Sequence, residues 1–353
     1  MNSQASLLQR FKDIAAGIVE PLAQKTDEEA RFPEEALAAL ARAGLMGLPY
    51  PKEAGGAGST YREYIEGVEI LARACASTAV CYATHVALAC YPIWAFGTSE
   101  QKEAFLRPLL EGRNLGAFAL TEREAGTDVG ALHTTAVRAR GGYVLNGGKI
   151  YITNAGRAHT YIVFARTGGP GPGGISAFLV SHQDKGLFLP PPQKKLGIRG
   201  AWTGELLLRD LILPENRRIG KENEGFAIAM KALSIGRIGI AAQATGIAQR
   251  ALEESLHRLT RRKQFGSLLA EFQGLRWKAA DMYTRIEASR QLTIHAAELL
   301  DKGCSIGTAS SAAKLFASES AVQCTAEAMQ IAGGEGYMSG SVVERLYRDA
   351  KIT

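Results

Sequence analysis

Cysteine is scarce in this 353-residue sequence and what there is does not pair by spacing: Cys75, Cys81, Cys90, Cys304 and Cys324 include no Cys-x-x-Cys and are odd in number. That set excludes a disulfide framework and reads as reduced thiols in a cytosolic enzyme. Histidine is sparse too. The six lie far apart, and none has a partner three or four residues away, as a metal site on a helix would want. Acidic excess is lacking, since 41 Lys and Arg against 35 Asp and Glu leave a charge of +6. The basic residues are scattered, the longest run being Arg261-Arg262-Lys263, with no aromatic-interleaved stripe. A nucleic-acid partner is therefore not expected, whereas a mildly basic surface suits phosphorylated small ligands. Met1 to Ser6 show no basic segment leading into an apolar one, so no signal peptide is expected. No apolar run reaches the length that crosses a bilayer. A cytoplasmic protein without a membrane partner is the expectation.

What is present is the composition of a soluble globular chain, 46% apolar and 22% charged. Its length suggests two or three domains at roughly 150 residues each. From Leu7 to about Leu110 the periodicity is helical. Pro33-Glu34-Glu35 suits a first turn, and Leu37, Leu40, Ala41 and Leu45 line one face. Gly44 and the Gly55 to Gly58 cluster separate the helices, Ala79 to Phe96 is apolar nearly all round and should be buried, and Thr98-Ser99-Glu100-Gln101 reads as a capping box. From about Leu115 the period shifts toward two. Tyr143 to Leu145 and Lys149 to Ile152 flank Asn146-Gly147-Gly148 as a hairpin would. Tyr161 to Phe164, Ile175 to Val180, Leu206 to Leu208 and Leu211 to Leu213 add short strands, together a small antiparallel barrel or sandwich. Helices return after Gly220, with Phe272, Leu275, Ala279, Met282, Ile286 and Thr293 at bundle spacing, Gly303 ending that helix and Gly333 to Gly336 interrupting the last. The expected division is an all-α domain over 1–114, a β domain over 115–218 and a helical bundle over 219–353.

The organising stretch is Gly116 to Asp128, where strand-like Phe118-Ala119-Leu120 gives way to Thr121, Glu122, Thr127 and Asp128 around Gly126. Such a segment offers hydroxyls and backbone N–H groups to a flat polar ligand. Five further segments accompany it: Tyr151-Ile152-Thr153-Asn154, Lys195 to Arg199, Arg262 to Gly266, Phe272-Gln273 and Gln330 to Tyr337. In that order, and over the whole chain, they resemble the acyl-CoA dehydrogenase family. The resemblance implies an α+β multidomain fold, with an N-terminal helical domain, a central antiparallel β-barrel and a C-terminal four-helix bundle. It also implies FAD in the cleft between barrel and bundle.

On that resemblance Phe118, Leu120, Thr121 and Thr127 line the flavin, Tyr151 and Ile152 lie beside its ring, and Thr153 donates a hydrogen bond toward N5. An aromatic face suits an extended π-system, although Tyr151 alone would read equally as a half-buried strand residue. Family members more often carry tryptophan there. Arg262, Phe265, Phe272, Gln273, Gln330, Gly333 and Gly334 match positions that hold the FAD diphosphate and adenosine, several of them in a neighbouring subunit, so a homo-oligomer, a tetramer of paired dimers, is implied. Thr127, Ser234 and Arg237 match acyl-CoA contacts. Arg237 reads as a buried arginine needing an anionic or carbonyl partner, with a structural ion pair as the rival reading. Arg123 replaces the usual proline after Thr-Glu, and Trp202 sits where smaller residues are usual, which would alter access to the cofactor.

The reaction implied is α,β-dehydrogenation of a saturated acyl-CoA thioester, with electrons passed to an electron-transferring flavoprotein and a place in fatty-acid β-oxidation. Its base, a glutamate in a Tyr-Glu-Gly-Thr segment after an Arg-Asp-Ala-Lys stretch, would fall beyond Thr353, since Arg348-Asp349-Ala350-Lys351 closes the sequence. The alternative base position on the bundle helix is Gly236. Glu122, Glu335, Glu344 and Asp349 match no base position and read as structural or solvated. A flavin oxidase or monooxygenase on the same scaffold, or a non-catalytic flavin- or CoA-binding protein, are the alternatives.

Overall fold

The computed structural model describes residues 6–353. The helical first third comprises α1 (Leu7–Ile14), α2 (Glu20–Glu28), α3 (Glu34–Arg42), α4 (Tyr61–Ala74), α5 (Ala76–Ala83), α6 (Tyr91–Phe96), α7 (Ser99–Gln101) and α8 (Arg107–Leu110). A π turn over Thr84–Cys90 makes α5 and α6 one continuous, largely buried rod, as the apolar run required. The capping box at Thr98 forms in full: Thr98 N donates to Gln101 Oε1 at 3.0 Å, and Gln101 N donates back to Thr98 Oγ1 at 3.2 Å.

The middle of the chain is an open mixed sheet, not a closed antiparallel barrel. Its strands are β1 (Gly116–Ala119), β2 (Thr135–Ala139), β3 (Gly142–Thr153), β4 (Thr160–Arg166), β5 (Ile175–Ser181), β6 (Leu187–Phe188), β7 (Thr203–Pro214) and β8 (Arg218–Ile219). They run β6-β7-β3-β2-β4-β5-β8, with β1 beside β4, and β1–β4 and β2–β4 are parallel. The end strands β6 and β8, each two residues long, do not pair with one another.

The expected hairpin at Asn146-Gly147 is absent, and β3 runs straight through it as one 12-residue strand. Asn146 makes its bonds across to β7 instead, Nδ2 donating to Asp210 Oδ1 at 3.1 Å and Oδ1 accepting from Asp210 N at 2.8 Å. Gly147 is needed for close approach, since a Cβ there would stand 2.6 Å from Thr134 Oγ1 at a φ of +144°. The register shift between Leu145 and Gly147 is thus a bulge, and Leu206 to Leu208 and Leu211 to Leu213 are two halves of β7.

The last third contains α9 (Gly225–Leu259), the small hairpin β9 (Lys263–Gln264) and β10 (Ser267–Leu268), α10 (Gln273–Asp301), α11 (Gly307–Ala332) and α12 (Val342–Ala350). Among the described residues three of these helices are long, of 35, 29 and 26 residues, and α12 has nine. Helix α4 joins the layer, tied to α10 by Arg290 donating to Glu69 at 2.7 Å. The main core runs through these helices and onto one face of the sheet, and a smaller cluster fills the other face. Contrary to the sequence reading, Ala76–Phe96 and Gly225–Leu259 are long and apolar enough to cross a membrane, but at least half of the apolar window in each is buried within this fold.

Candidate functional site

A cavity of about 400 Å³ opens where the sheet, α9 and the end of the chain converge. The first wall is the end of β3. A second register shift between Lys149 and Ile152 puts Tyr151 in the left-handed region, φ +60°, so its ring leaves the ladder and stands exposed while Ile152 returns to the core. A bulge commonly re-aims a side chain in this way. Tyr151 and Thr153 both line the cavity. Asn154, fully buried, fixes the strand's end: Nδ2 donates to Cys81 O on α5 at 3.2 Å and to Gly116 O on β1 at 3.1 Å.

The second wall is the loop Gln193 to Thr203, held by α12. Asp349 Oδ1 accepts from Ile198 N at 2.5 Å, and Arg348 Nη1 donates to Leu196 O at 3.0 Å while its guanidinium pairs with Asp27 and Glu344. Gly197 is obligatory here, as a Cβ would meet Arg348 O at 2.3 Å. Burial pushes the Asp349 carboxyl up to about 7, the bond from Ile198 N opposing it. Lys195 donates from Nζ to Ala201 O at 2.6 Å, and burial lowers its pKa. The third wall is α9, through Ile240 and Gln243, with Val80 of α5 beside them. Gln243 is 0% exposed and neither amide atom has a protein partner. A buried amide in that state has an unmet hydrogen-bonding demand at the cavity wall. Among the described residues no aspartate or glutamate lines the cavity.

The structure brings some of the sequence-predicted residues to this cavity and not others. Phe118, Leu120 and Ile152 are buried in the packing behind it, Phe118 lying 4.9 Å from Phe164 between ring centroids. Thr121 is half-buried and its carbonyl accepts from Ile150 N at 2.9 Å, placing it alongside the bulge, whereas Thr127 is exposed on its turn. On α9, Ser234 Oγ donates to Met230 O at 2.9 Å. Arg237 is half-buried, not enclosed, and among the described residues makes no ion pair. Arg262, Phe265, Phe272, Gln273, Gln330, Gly333 and Gly334 are all exposed, and none touches the cavity. They nevertheless gather at one end of the helical layer. Phe265, 94% exposed, meets Phe272 edge-on at 6.2 Å, and Arg258 bonds Glu335 at 2.6 Å, joining the end of α9 to the glycine turn.

Trp202 does not line the cavity. Its Nε1 donates to Ala30 O at 3.0 Å and the Arg157 guanidinium stacks on its ring at 4.1 Å, so it ties the helical third to the sheet. The acids near the motifs have structural partners: Glu122 with Lys149, Glu335 with Arg258, Glu344 with Arg348 and Asp349 with Ile198 N. Sequence reasoning missed Gln243, whose signal was available as a lone amide within Ile238 to Ala248, a run otherwise of alanine, isoleucine, glycine and one threonine. A larger cleft of about 490 Å³ at Arg157 and His159 shares no residue with the cavity and lacks every motif residue.

An aromatic ring, threonine hydroxyls, three lysines, Arg348 and a buried amide, set among apolar side chains, fit a planar heterocycle carrying phosphate. The helices that precede and follow the sheet in the sequence share one core against a single face of it, with this cavity at their junction. The chain belongs to the acyl-CoA dehydrogenase family: the models of that family's N-terminal, middle and C-terminal domains match residues 1–113, 117–211 and 223–353. It is 45% identical over 351 residues to the short-chain specific acyl-CoA dehydrogenase of Clostridium acetobutylicum, covering 99% of this chain and 93% of that one. Butyryl-CoA dehydrogenase of Megasphaera elsdenii superimposes with a TM-score of 0.95 at 40% identity, covering 100% and 94% of the two chains. A chain in the structure of the electron transferring flavoprotein of Acidaminococcus fermentans, described for flavin-based electron bifurcation, does so with a TM-score of 0.95 at 41% identity, covering 100% and 94%.

Proposed function

We propose that this protein catalyses FAD-dependent α,β-dehydrogenation of a short saturated acyl-CoA thioester to the trans-2-enoyl-CoA, passing electrons to an electron-transferring flavoprotein. The observation that carries the reading is the bulged end of β3, which turns Tyr151 outward and sets Thr153 on the wall of the same cavity as the orphaned Gln243 amide. The chemistry that FAD would supply at this wall is hydride acceptance from the substrate's β-carbon. Tyr151 would lie against the ring system, Thr153 would hydrogen-bond at its edge, and Thr127, Ser234 and Arg237 would position the acyl-CoA. Tyr151, 64% exposed beside the cavity, would also face the electron acceptor.

The exposed motif residues at the far end of the helical layer support a shared cofactor site. Arg262, Phe265, Gln273, Gln330, Gly333 and Gly334 cannot reach their own cavity, so in this reading they serve the FAD of a second copy. A homotetramer in the cytoplasm, working in fatty-acid β-oxidation, completes the proposal. The reaction also needs a general base, and no carboxylate among the described residues lines the cavity. Anaerobic addition of butyryl-CoA tests the reading. The flavin's visible absorbance should bleach as the thioester is oxidised. FAD-loaded protein whose absorbance stays oxidised would overturn the reaction.

A further inference from the structure

Beneath the cavity wall lies an ion pair that touches no ligand-facing atom. Lys149 and Glu122 are 1% and 6% exposed, and Lys149 Nζ donates to Glu122 Oε1 at 2.7 Å and to Leu120 O at 3.0 Å. The same carboxylate accepts from His133 N at 2.6 Å and from Thr134 N at 3.0 Å. One carboxylate therefore closes the loop from Glu122 to His133, the loop that carries Thr127, while its cation anchors the bulge that throws Tyr151 outward. Ile150 N, bonded to Thr121 O at 2.9 Å, is the next rung.

Burying two charges costs several kcal/mol per ion before their attraction is counted, and apolar replacements of similar volume are often as stable. A pair retained against that cost is better explained by the geometry it enforces. Burial lowers the pKa of Lys149, and Lys149 holds Glu122 below the ordinary carboxylate range against the same desolvation.

We propose that Glu122 and Lys149 are a pair of positioning residues that fixes the Thr121–Thr127 loop against the Tyr151–Thr153 bulge, and so sets the shape of the flavin-binding wall without contacting the cofactor. This rests on the flavin site proposed above. It concerns the wall's geometry, so part of its test is independent of any flavin.

Three variants decide it: Glu122→Gln, which keeps the shape and removes the charge, Lys149→Met, and the double substitution. Val163→Ala, in the smaller core on the other face of the sheet, is the control for general destabilisation. Hydrogen exchange should rise at the His133 and Thr134 amides and through residues 123–128 in Glu122→Gln, with little change in α9 to α11. FAD dissociation constants should rise about tenfold or more in each single variant, and the double variant should lose little beyond either single one, because the two act as a unit. Val163→Ala should lower the melting temperature while leaving FAD affinity within about twofold of wild type. Unchanged exchange at His133 and Thr134 in Glu122→Gln would overturn the proposal whether or not flavin binds. So would unaltered FAD affinity in the single variants, or an equal loss in Val163→Ala. Failure of the wild type to bind FAD, with exchange still raised at His133 and Thr134 in Glu122→Gln, would remove the proposed function and leave the clasp standing.

Discussion

Replacing Gln243 with leucine should stabilise the ligand-free protein and weaken its ligand binding, a pairing of signs that few substitutions share. The side chain is wholly buried on α9, and its Oε1 and Nε2 have no partner in the protein. An unsatisfied buried polar group costs about 1–3 kcal/mol, and leucine fills nearly the same volume without that cost. With unfolding entropy near 2.1 cal/mol/K per residue, a gain of that size corresponds to a rise of roughly 1–4 °C in melting temperature for a chain of this length. Ligand should then reverse the order. Whatever hydrogen bonds the amide makes to a bound group are lost in the leucine variant, so saturating FAD and acyl-CoA should raise the wild-type transition more than that of the variant. Differential scanning calorimetry, with and without ligands, reads both effects. A ligand-free Gln243→Leu protein melting below wild type would show that the amide is already satisfied and would refute the reasoning.

His85 predicts acid sensitivity. Fully buried, it accepts from Gly116 N at 3.0 Å through Nδ1 and contacts Leu109 O at 3.2 Å through Nε2, and burial lowers its pKa to about 4. The fold holds it neutral while the unfolded chain protonates it below about 6.5, so stability should fall by about 3 kcal/mol from pH 6.5 to pH 4; denaturant titrations of His85→Gln should lack that part of the slope, and an unchanged slope would count against it. Asp349 works in the opposite sense: its folded pKa is raised to about 7, so the native state holds a proton that the unfolded chain releases above the ordinary carboxylate value, and stability falls as pH rises through that window. Asp349→Asn keeps an acceptor for Ile198 N, and its stability relative to wild type should therefore improve between pH 4 and pH 8 in urea titrations. Trp202→Ala should cost about 2 kcal/mol through lost stacking on Arg157, yet leave FAD affinity within about twofold, and a large loss of FAD binding would return Trp202 to the cofactor site.

The architecture's sequence of parts was legible because hydrophobic periodicity is local. Glu34, Thr98 and Gly303 announce helix starts and stops within a few residues, and the structure has ends there. The sheet was harder. Asn146-Gly147 carries the chemistry of a tight turn, and only the opposite strand, through Asp210 and Thr134, makes it a bulge in a straight strand. Whether β6 reaches β8 is likewise a matter of strand length and twist, which composition does not encode. At the site, Tyr151 and Thr153 were found through their motif, and their exposure on the cavity wall follows from the left-handed backbone at Tyr151. Trp202 was read as a neighbour of the cofactor because adjacent residues are, but its ring points to Arg157 and Phe32. Arg237 was read as enclosed from its apolar neighbours, and the helix leaves it half-buried.

Reconstitution with FAD bears most directly on the account. Protein purified and incubated with the cofactor should retain one FAD per chain after gel filtration, with a visible spectrum that shifts when butyryl-CoA or its enoyl product is added, and Thr153→Val should bind more weakly. Protein that stays colourless under every such condition, with folding intact by circular dichroism, would contradict it.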